Sequence, residues 1–430
     1  MLIFVFFLFF NLILPLGNID EIWTYGFTYN MFKKLIPYID FNMIIPPFYP
    51  FIMSLPMHLF GESILVYHIE TAIYLTISFY LLENMLGEKK WLALLFLVNA
   101  FNISFPSYNL FLVFLFILLI YFERKNKDSD LLIGILLGLA ILTKHSVGIV
   151  LLLPSICYIK KKKKAKLRVV GILIPIVLCF IYLLLSKSLM NFIDLCILGL
   201  FDFTTNTPSF NGIYILSIIY LIICFILIKR DPKNIINYYA LTIFSIAIPL
   251  FDFYHFFLSF FCLVVVLLSN YDIKIKLNFK LFFFGVTILT TLLSFYTFYD
   301  GKIVYPNHIH NFEYRLLSYE RIEYTEEINR YIKKNKNRKI IFLTNDAYYF
   351  RIINGQRISY YDLINYGNHG YNGSKKLLKL IKRNKDALFI VDKEQLDISL
   401  QTDKNVIKYI MENGKKIDKV YKYDVYRIER

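Results

Sequence analysis

Long apolar segments recur along the whole chain, and no other feature restricts its fold as strongly. Eleven of them can be marked, at 1–16, 64–83, 91–105, 107–122, 131–143, 146–159, 168–185, 212–228, 235–250, 254–269 and 281–298. Apolar residues form 57% of the sequence, a share that soluble domains seldom reach. Because a helix satisfies its own backbone hydrogen bonds in lipid, the pattern predicts an α-helical polytopic membrane protein with about 11 transmembrane helices.

Four consecutive segments between 91 and 159 are shorter than the roughly 20 residues that a span usually needs. They can form two short hairpins, or they can join into two long spans at 91–122 and 131–159. Both arrangements return the chain to the same side by residue 160. We expect the two hairpins, because they keep "ERKNKD" (123–128) on the basic side of the membrane. The stretch 46–60 contains four prolines, which remove helix donors, so we expect it to be interfacial or re-entrant.

Basic residues indicate which loops face the cytoplasm. One alternating set of short loops contains 18 Lys and Arg, whereas the opposite set contains four. Since short cytoplasmic loops carry the excess of basic residues, the first set is predicted to be cytoplasmic. The loop 17–45 and the tail from 299 then lie outside, and the lysines at 160–164 face the anionic inner leaflet. The net charge of +16 is thereby explained without nucleic-acid binding.

The composition changes abruptly at 299, where charged residues become frequent. We therefore expect a transmembrane domain at 1–298 and a soluble extracytoplasmic α/β domain at 299–430. The predicted helices are "RIEYTEEINRYIKKN" (321–335) and "GSKKLLKLIKRN" (373–384), and the predicted strands are "KIIFLT" (339–344), "ALFIVD" (387–392) and "KVYKYDVYRIE" (419–429). "NYGNHGYNG" (365–373) lacks the spacing of a phosphate-binding loop, and its glycines predict tight turns.

An acidic loop follows the first span directly. Asp20 and Glu21 are adjacent in it, and Asp40 lies further along the same loop. Ionisable groups at membrane depth cost about 2.5–3.5 kcal/mol each on insertion scales, so they usually face a cavity or a partner. Solubility does not require an adjacent acidic pair between a span and "IWTYGF" (22–27), so the pair indicates a function.

Further polar residues are predicted on the same side of the membrane. They are Lys144 and His145 in "LTKHSVG", Asp252 and His255 in "FDFYH", Asp202 in "GLFDFTTNTPSF", and His308 and His310 in "YPNHIHNFEYR". Structural alternatives stay open for some of them: Lys144 can extend its ammonium to the interface, and His255 can be a packing residue. His58 and His68 are expected to be structural.

A divalent ion is not indicated by the sequence. His308 and His310 have a spacing that suits metal ligands, but a single His-x-His pair in a loop is a weak signal. We therefore place no metal in the site and leave open whether the protein needs a divalent cofactor.

Carboxylates and cations at the outer face fit one chemistry well. A hydroxyl acceptor needs a carboxylate base to take its proton as it attacks. A phosphate leaving group needs positive charge or hydrogen-bond donors. The aromatic residues of the loop, such as Trp23 and Tyr25, suit an amphipathic substrate at the interface. These are the demands of sugar transfer from a lipid phosphate carrier.

The chain resembles the GT-C superfamily of integral-membrane glycosyltransferases, in the group of the protein O-mannosyltransferases and the lipid A aminoarabinose transferase. The resemblance rests on Asp20-Glu21 after the first span, on "LIPYIDFNMIIPPFYP" (35–50), on "GLAILTKHSVG" (138–148), on "FDFYH" (251–255) and on the soluble tail. It covers most of the membrane part. The chain departs from the motifs of this group at two positions: Leu35 stands where a glycine is common, and His145 stands where a Gln often follows the lysine. These departures affect the expected substrate more than the expected class of enzyme.

The resemblance implies roles for individual residues. Asp20 would be the catalytic base, with Glu21 beside it as the second catalytic residue. Donor-binding or supporting roles would fall to Asp40, Lys144, His145, Asp252 and His255. The implied partners are a polyprenyl-phosphate-linked sugar, membrane lipids and an acceptor that is a cell-wall polymer, a glycolipid or a protein.

Two other classes compete with the glycosyltransferase. A transporter or lipid-linked sugar flippase often shows internal repeats and broken helices in matching halves, and we find no repeat. A non-catalytic membrane anchor for the tail would not need eleven spans. We therefore expect a multi-pass cell-membrane glycosyltransferase, either a hexosyltransferase or a pentosyltransferase, whose C-terminal domain is extracytoplasmic.

Overall fold

A computed structural model describes most of the chain. The described residues are 1–14, 16, 19–125, 129–159, 166–205, 213–248, 252–271, 277–299, 304–362, 364–393 and 403–428. The lysine run 160–164, predicted to be cytoplasmic, lies outside them.

The membrane part is a helical bundle, and each of the eleven predicted segments contains one α-helix; in the segment 235–250, the α-helix continues as a 3-10 helix (Ile243–Ala247). These helices are α1 (Leu2–Ile13), α5 (Ile64–Leu86), α6 (Leu92–Ser104), α7 (Tyr108–Lys125), α8 (Asp130–Thr143), α9 (His145–Ile159), α10 (Lys166–Leu185), α13 (Ile213–Arg230), α14 (Ile235–Thr242), α15 (Phe253–Asn270) and α16 (Leu277–Tyr299). Among the described residues, four helices are long and apolar enough to cross a membrane by themselves, starting at Ile64, Lys166, Ile213 and Phe253. The predicted polytopic fold is confirmed.

The region 91–159 forms two hairpins, as predicted. Asn109 at the start of α7 accepts from Lys144, which lies between α8 and α9. Arg168 at the start of α10 reaches Glu123 at the end of α7 at 2.7 Å and Asp130 at the start of α8 at 2.8 Å. The chain therefore crosses the bundle between each of these places. We call the end that contains Lys144 the site end and the end that contains Arg168 the distal end.

Short helices fill the regions between the spans. The acidic loop contains α2 (Ile19–Phe32), which the sequence analysis treated as a loop; Asp20 and Glu21 in its first turn suit the positive end of a helix dipole. The proline-rich stretch forms α3 (Phe48–Ser54) and α4 (Met57–Phe60), which are too short to span, as expected. Between α10 and α13 lie α11 (Leu189–Phe192), a π-helix (Ile193–Leu198) and α12 (Gly199–Thr205).

The tail is a small α/β domain. Its four-stranded sheet has the order β3-β4-β6-β5, in which β3 and β4 are parallel and the other pairs are antiparallel. The elements are β1 (Val304–Tyr305), β2 (Leu317–Ser318), α17 (Tyr319–Lys334), β3 (Ile340–Leu343), α18 (Ala347–Ile353), α19 (Gly373–Lys382), β4 (Leu388–Val391), α20 (Lys404–Asn413), β5 (Gly414–Val420) and β6 (Tyr423–Ile428). Both parallel strands are fully buried, as their apolar runs predict.

One predicted strand is instead a hairpin. The sequence "KVYKYDVYRIE" (419–429) alternates like a single strand, but the chain turns at Tyr421, whose φ is 54°. Val420 then pairs with Tyr423 across the turn. Only Lys419 and Val420 of the predicted strand precede the turn, and Val420 is the one buried residue of β5, whereas most of β6 is buried.

The tail packs against the site end of the bundle. The glycine-rich loop provides part of the contact: Asp194 accepts from the Tyr371 N–H at 3.2 Å, and Asp202 accepts from the Gly373 N–H at 3.0 Å. Gly370, at φ 75°, lies so close to Asp194 that a side chain would collide with it. One hydrophobic core runs from the bundle into the tail through residues such as Phe312 and Tyr348, while a second core covers the far face of the sheet.

Candidate active site

Asp20 is held in the first turn of α2 at the site end. The Thr24 hydroxyl donates to the Asp20 carbonyl oxygen at 2.7 Å and lies 2.9 Å from the Tyr67 hydroxyl of α5. Tyr67 also reaches the Pro106 carbonyl oxygen, at 3.1 Å, in the turn between α6 and α7. The start of α2 is therefore fixed against two parts of the bundle.

Polar groups from other elements surround the Asp20 carboxylate. Tyr254 of α15 hydrogen-bonds to it, and Lys144 and His255 are close enough to act on its charge. Burial raises the pKa of the Asp20 carboxyl above its ordinary value, and these three neighbours reduce the rise. A carboxylate with a raised pKa is a stronger base than an exposed one, which suits proton abstraction.

An amide connects Lys144 to Tyr254. Asn109 Oδ1 accepts from the Lys144 ammonium at 3.0 Å, and Asn109 Nδ2 donates to the Tyr254 hydroxyl at 3.0 Å. Because an ammonium only donates, Oδ1 must face Lys144, and the orientation of the amide is fixed. The Tyr254 hydroxyl accepts a hydrogen bond from Asn109 and can donate its own hydrogen bond to the Asp20 carboxylate. A directed chain of hydrogen bonds thus joins the cation to the carboxylate.

Asp252 and His255 form a hydrogen-bonded pair beside Asp20. Asp252 caps α15: its Oδ1 accepts from the His255 N–H at 2.8 Å, and both carboxylate oxygens lie 2.9 Å from His255 Nδ1. Burial by itself raises the pKa of Asp252, but the bonds from His255 and the charge of Lys144 outweigh it and hold the pKa below its ordinary value. The pair fixes the orientation of the imidazole.

Lys144 is a half-buried cation between α8 and α9. Its ammonium lies 5.7 Å from the centre of the Tyr108 ring. Burial lowers the pKa of Lys144 to about 8, although the charges of Asp20 and Asp252 oppose this effect. Lys144 is therefore mostly protonated at neutral pH and loses its charge in mildly alkaline solution.

The structure brings together four of the residues that the sequence analysis selected. Asp20, Lys144, Asp252 and His255 lie at the site end and act on one another's charge. They come from α2, from the turn between α8 and α9, and from the start of α15. Their catalytic and donor-binding roles stay predictions.

Three other selected residues contact different groups. Glu21 is fully buried with His68 and Arg315, although it was predicted to act beside Asp20. Asp40 accepts from the Ile36 N–H at 2.7 Å, so it braces the turn before the proline-rich stretch. His145 Nδ1 lies 3.6 Å from the Cys196 thiol. Their functional roles also stay predictions.

The two histidines after the last span are separated from the site residues. His308 is exposed, and His310 Nε2 lies 3.4 Å from Glu62 Oε1. Within the described part of the chain, no group of three or more His, Cys, Asp or Glu side chains is arranged to hold a metal ion.

An apolar cavity of about 330 Å³ lies near the site end, between α2, α3, α8 and α10. Its lining residues are Met31, Pro47, Phe48, Phe51, Leu139, Leu142, Pro175, Leu178, Cys179 and Tyr182. Leu142 precedes Lys144 by two residues, so the cavity approaches the charged groups along α8. Its size and lining suit a hydrocarbon chain.

Asn109 and Tyr254, which connect the charged groups, were not among the residues predicted from the sequence. Tyr254 lies inside the selected motif "FDFYH", from which only Asp252 and His255 were selected. Asn109 belongs to "NISFPSYN" (102–109), a polar interruption between two apolar segments. Buried polar residues at such an interruption need partners, and that signal could have identified this turn.

These features define a class of fold: a polytopic helical bundle with an acidic juxtamembrane helix and an α/β domain on the same end. Solved structures of ArnT share this fold over nearly the whole chain, so the fold that the resemblance implied is confirmed. ArnT from Cupriavidus metallidurans bound to undecaprenyl phosphate has this fold, with a TM-score of 0.62 and 11% identity over 99% of this chain and 96% of that chain. The apo state of that ArnT gives a TM-score of 0.57 and 13% identity over 98% and 96%.

At 11–13% sequence identity, the similarity to ArnT is a similarity of fold. No protein-family model matches the chain. No curated protein sequence matches it either.

Proposed function

We propose that this protein is a glycosyltransferase that moves a sugar from a polyprenyl-phosphate donor to an acceptor hydroxyl. One observation carries the proposal: a half-buried carboxylate of raised pKa, Asp20, and a half-buried cation, Lys144, are joined by Asn109 and Tyr254 at the site end. The acceptor would be a cell-wall polymer, a glycolipid or a protein, and the sugar a hexose or a pentose.

Asp20 acts as the general base in this mechanism. The acceptor oxygen attacks the anomeric carbon of the sugar while its proton passes to Asp20. The bond between that carbon and the phosphate oxygen breaks, and the polyprenyl phosphate leaves with the bonding electrons. The raised pKa of Asp20 makes it a better proton acceptor at neutral pH than an exposed aspartate.

Lys144 stabilises the leaving group. Negative charge develops on the phosphate as the bond breaks, and a fixed cation in a water-poor site stabilises it more than bulk water does. Asn109 holds the ammonium in place through its 3.0 Å hydrogen bond. Asp252 fixes the imidazole of His255, and both residues lie close enough to act on the charge of Asp20.

A lipid carrier is supported by the surroundings of the charged groups. The apolar cavity beside α8 can take the first isoprene units of a polyprenyl chain. An ArnT structure of the same fold was determined with undecaprenyl phosphate bound. We infer that undecaprenyl phosphate, or a similar polyprenyl phosphate, is the carrier here.

The reaction occurs at the outer surface of the membrane in this proposal. The basic loops lie at the distal end in the predicted topology, and the positive-inside rule assigns that end to the cytoplasm. The site end and the α/β domain then face outward, where a lipid-borne sugar meets an extracytoplasmic acceptor.

A direct transfer assay tests the function. Purified protein is supplied with a labelled polyprenyl-phosphate sugar and cell-envelope acceptors, and label transfer is followed. Asp20→Asn keeps the shape of the side chain and removes its charge, so the rate should fall about 10²- to 10⁴-fold. The matched control is Asp40→Asn, which makes the same chemical change at the turn near Ile36. It should lower the transfer rate much less than Asp20→Asn does. A near-normal rate for Asp20→Asn would contradict the assignment.

A further inference from the structure

One face of α2 contacts α5 and the tail. Glu21, Tyr25, Tyr29 and Lys33 follow one another at four-residue spacing and therefore share a face. Asp20 is rotated by about 100° from Glu21 on the helix, so the two adjacent acids meet different surroundings. The partners of Asp20 come from the bundle, whereas those of Glu21 include a residue of the tail.

Glu21 is enclosed by two fully buried basic groups. His68 Nε2 lies 2.8 Å from Glu21 Oε1, Arg315 Nη2 donates to Glu21 Oε2 at 3.4 Å, and all three side chains are 0% exposed. Arg315 Nη1 lies 3.4 Å from His68 Nδ1 and also donates to the Asn11 carbonyl oxygen of α1. Because Arg only donates, His68 Nδ1 must accept, and the His68 proton on Nε2 is directed to Glu21. We call Glu21, His68 and Arg315 the clamp.

The tail holds α2 at further points along its length. The ring of Phe312 lies 6.0 Å from that of Tyr25 in an edge-to-face contact. Asn30 donates to the Ile358 carbonyl oxygen at 3.2 Å and accepts from the Ile358 N–H at 3.1 Å, as a strand neighbour would. The helix that presents Asp20 is thus fixed from its first turn to its last turn by the α/β domain.

We propose that Arg315 is a positioning residue for the transfer reaction: by holding Glu21 it fixes the first turn of α2, and with it the carboxylate of Asp20. This inference rests on the proposed function and extends it to the α/β domain, which becomes part of the catalytic unit. The reason is geometric, since a displacement of about 1 Å of a catalytic group can slow a reaction roughly 10²-fold.

Arg315→Lys tests the clamp without leaving Glu21 beside an uncharged group. Lysine keeps the positive charge, but its single ammonium cannot replace a planar fork that reaches Glu21, His68 and Asn11 together. Arg351→Lys is the matched control. Arg351 is also a largely buried arginine of the α/β domain; it donates to Asp362 at 3.1 Å and to the Ile340 carbonyl oxygen at 2.9 Å, both within that domain.

Two readouts are measured on the full-length protein. In the transfer assay, Arg315→Lys should lower kcat by about 10- to 100-fold and leave KM for the polyprenyl-phosphate sugar within about threefold, because Arg315 does not touch the lipid donor. Amide hydrogen exchange over 19–32 should accelerate in Arg315→Lys, because the first turn of α2 is released. Arg351→Lys should leave kcat and the amide exchange of 19–32 near the wild-type values.

The results separate this inference from the proposed function. The positioning role would be overturned if Arg315→Lys had the same kcat and the same amide exchange in α2 as Arg351→Lys. A rise of KM at unchanged kcat would also overturn it, since that pattern belongs to substrate binding. If the wild-type protein transfers no sugar, the proposed function fails, and the exchange experiment alone decides whether Arg315 fixes α2.

Discussion

Burial favours the uncharged forms of Asp20 and Lys144, whereas the attraction between the two side chains favours their charged forms. The pKa of Asp20 is raised by burial and the pKa of Lys144 is lowered by it to about 8, while the attraction between the two opposes both shifts. The site therefore holds a base that is stronger than an exposed aspartate and a cation that is close to its titration point. In the proposed mechanism, Asp20 must be deprotonated to act as the base while Lys144 is protonated to stabilise the leaving group.

The pH dependence of the rate follows from these two groups. Asp20 must be deprotonated, so kcat/KM should rise with pH on an acid limb that lies above the ordinary range of an aspartate. Lys144 must be protonated, so kcat/KM should fall as the pH passes about 8. Lys144→Arg keeps the cation far above that pH and should move the alkaline limb upward. An alkaline limb that stays near pH 8 in Lys144→Arg would exclude Lys144 as its source.

Asn109 is expected to matter for rate more than for folding. Asn109→Leu removes both the acceptor for Lys144 and the donor for Tyr254, and we expect kcat to fall about 10- to 100-fold. Asn99→Leu is the matched control, because Asn99 is also a buried asparagine of this bundle but binds Thr287 at 2.7 Å. Steady-state kinetics at equal amounts of folded protein compare the two variants. Equal kcat values would show that Asn109 only packs.

At the scale of elements, the contact between α8 and α10 depends on glycine. A Cβ added at Gly134 would overlap the Arg168 carbonyl oxygen, and one added at Gly171 would overlap the Leu131 carbonyl oxygen. The two helices approach closely enough for backbone to meet backbone, as small residues allow in membrane bundles. This contact holds α8, which ends next to Lys144.

Alanine at these positions should destabilise the protein. Gly134→Ala and Gly171→Ala are each expected to cost about 1–3 kcal/mol, because the helices must separate to admit the methyl group. Gly285→Ala in α16 is the control, since nothing lies within 4 Å of the added Cβ. Thermal unfolding in detergent compares the three variants. A midpoint for Gly134→Ala as high as that for Gly285→Ala would show that α8 and α10 can adjust without loss.

At the scale of the whole molecule, the charged groups are divided between two ends. The distal end has its own buried cluster, in which Arg168 binds Glu123 and Asp130 and lies 3.1 Å from the Ser155 hydroxyl. It connects four successive helices at the end opposite Lys144. The bundle is thus fixed by ionic contacts at both ends, with the apolar spans between them.

Labelling from outside the cell tests the orientation of these ends. Cysteines introduced at Lys34 in the acidic region and at Lys415 in the tail should react with an impermeant thiol reagent on intact cells, since both side chains are exposed. A cysteine at Lys162 should not react, because its basic loop is predicted to be cytoplasmic. The chain with its native cysteines gives the background. Labelling at 162 alone would reverse the topology.

Local patterns in the sequence predicted the elements well. The eleven apolar segments became eleven helices, and the runs "KIIFLT" and "ALFIVD" became the two buried parallel strands. The patterns failed where the chain reverses within an alternating run, as at Tyr421, and where an acidic, aromatic-rich stretch forms a helix, as in α2. Hydrophobic periodicity reports burial along one element, and it contains no information on where the chain reverses inside an alternating run.

The sequence by itself determined the membrane class, the positions of the apolar helices and the presence of charged residues beside the membrane, because apolar length and loop charge act locally. Only the tertiary structure decided which charges meet. It placed Asp20 with Lys144, Asp252 and His255, and it buried the adjacent Glu21 against Arg315, which lies 294 residues away. Neighbouring residues on a helix point about 100° apart, so their partners are chosen by the packing of distant elements and not by their own sequence context.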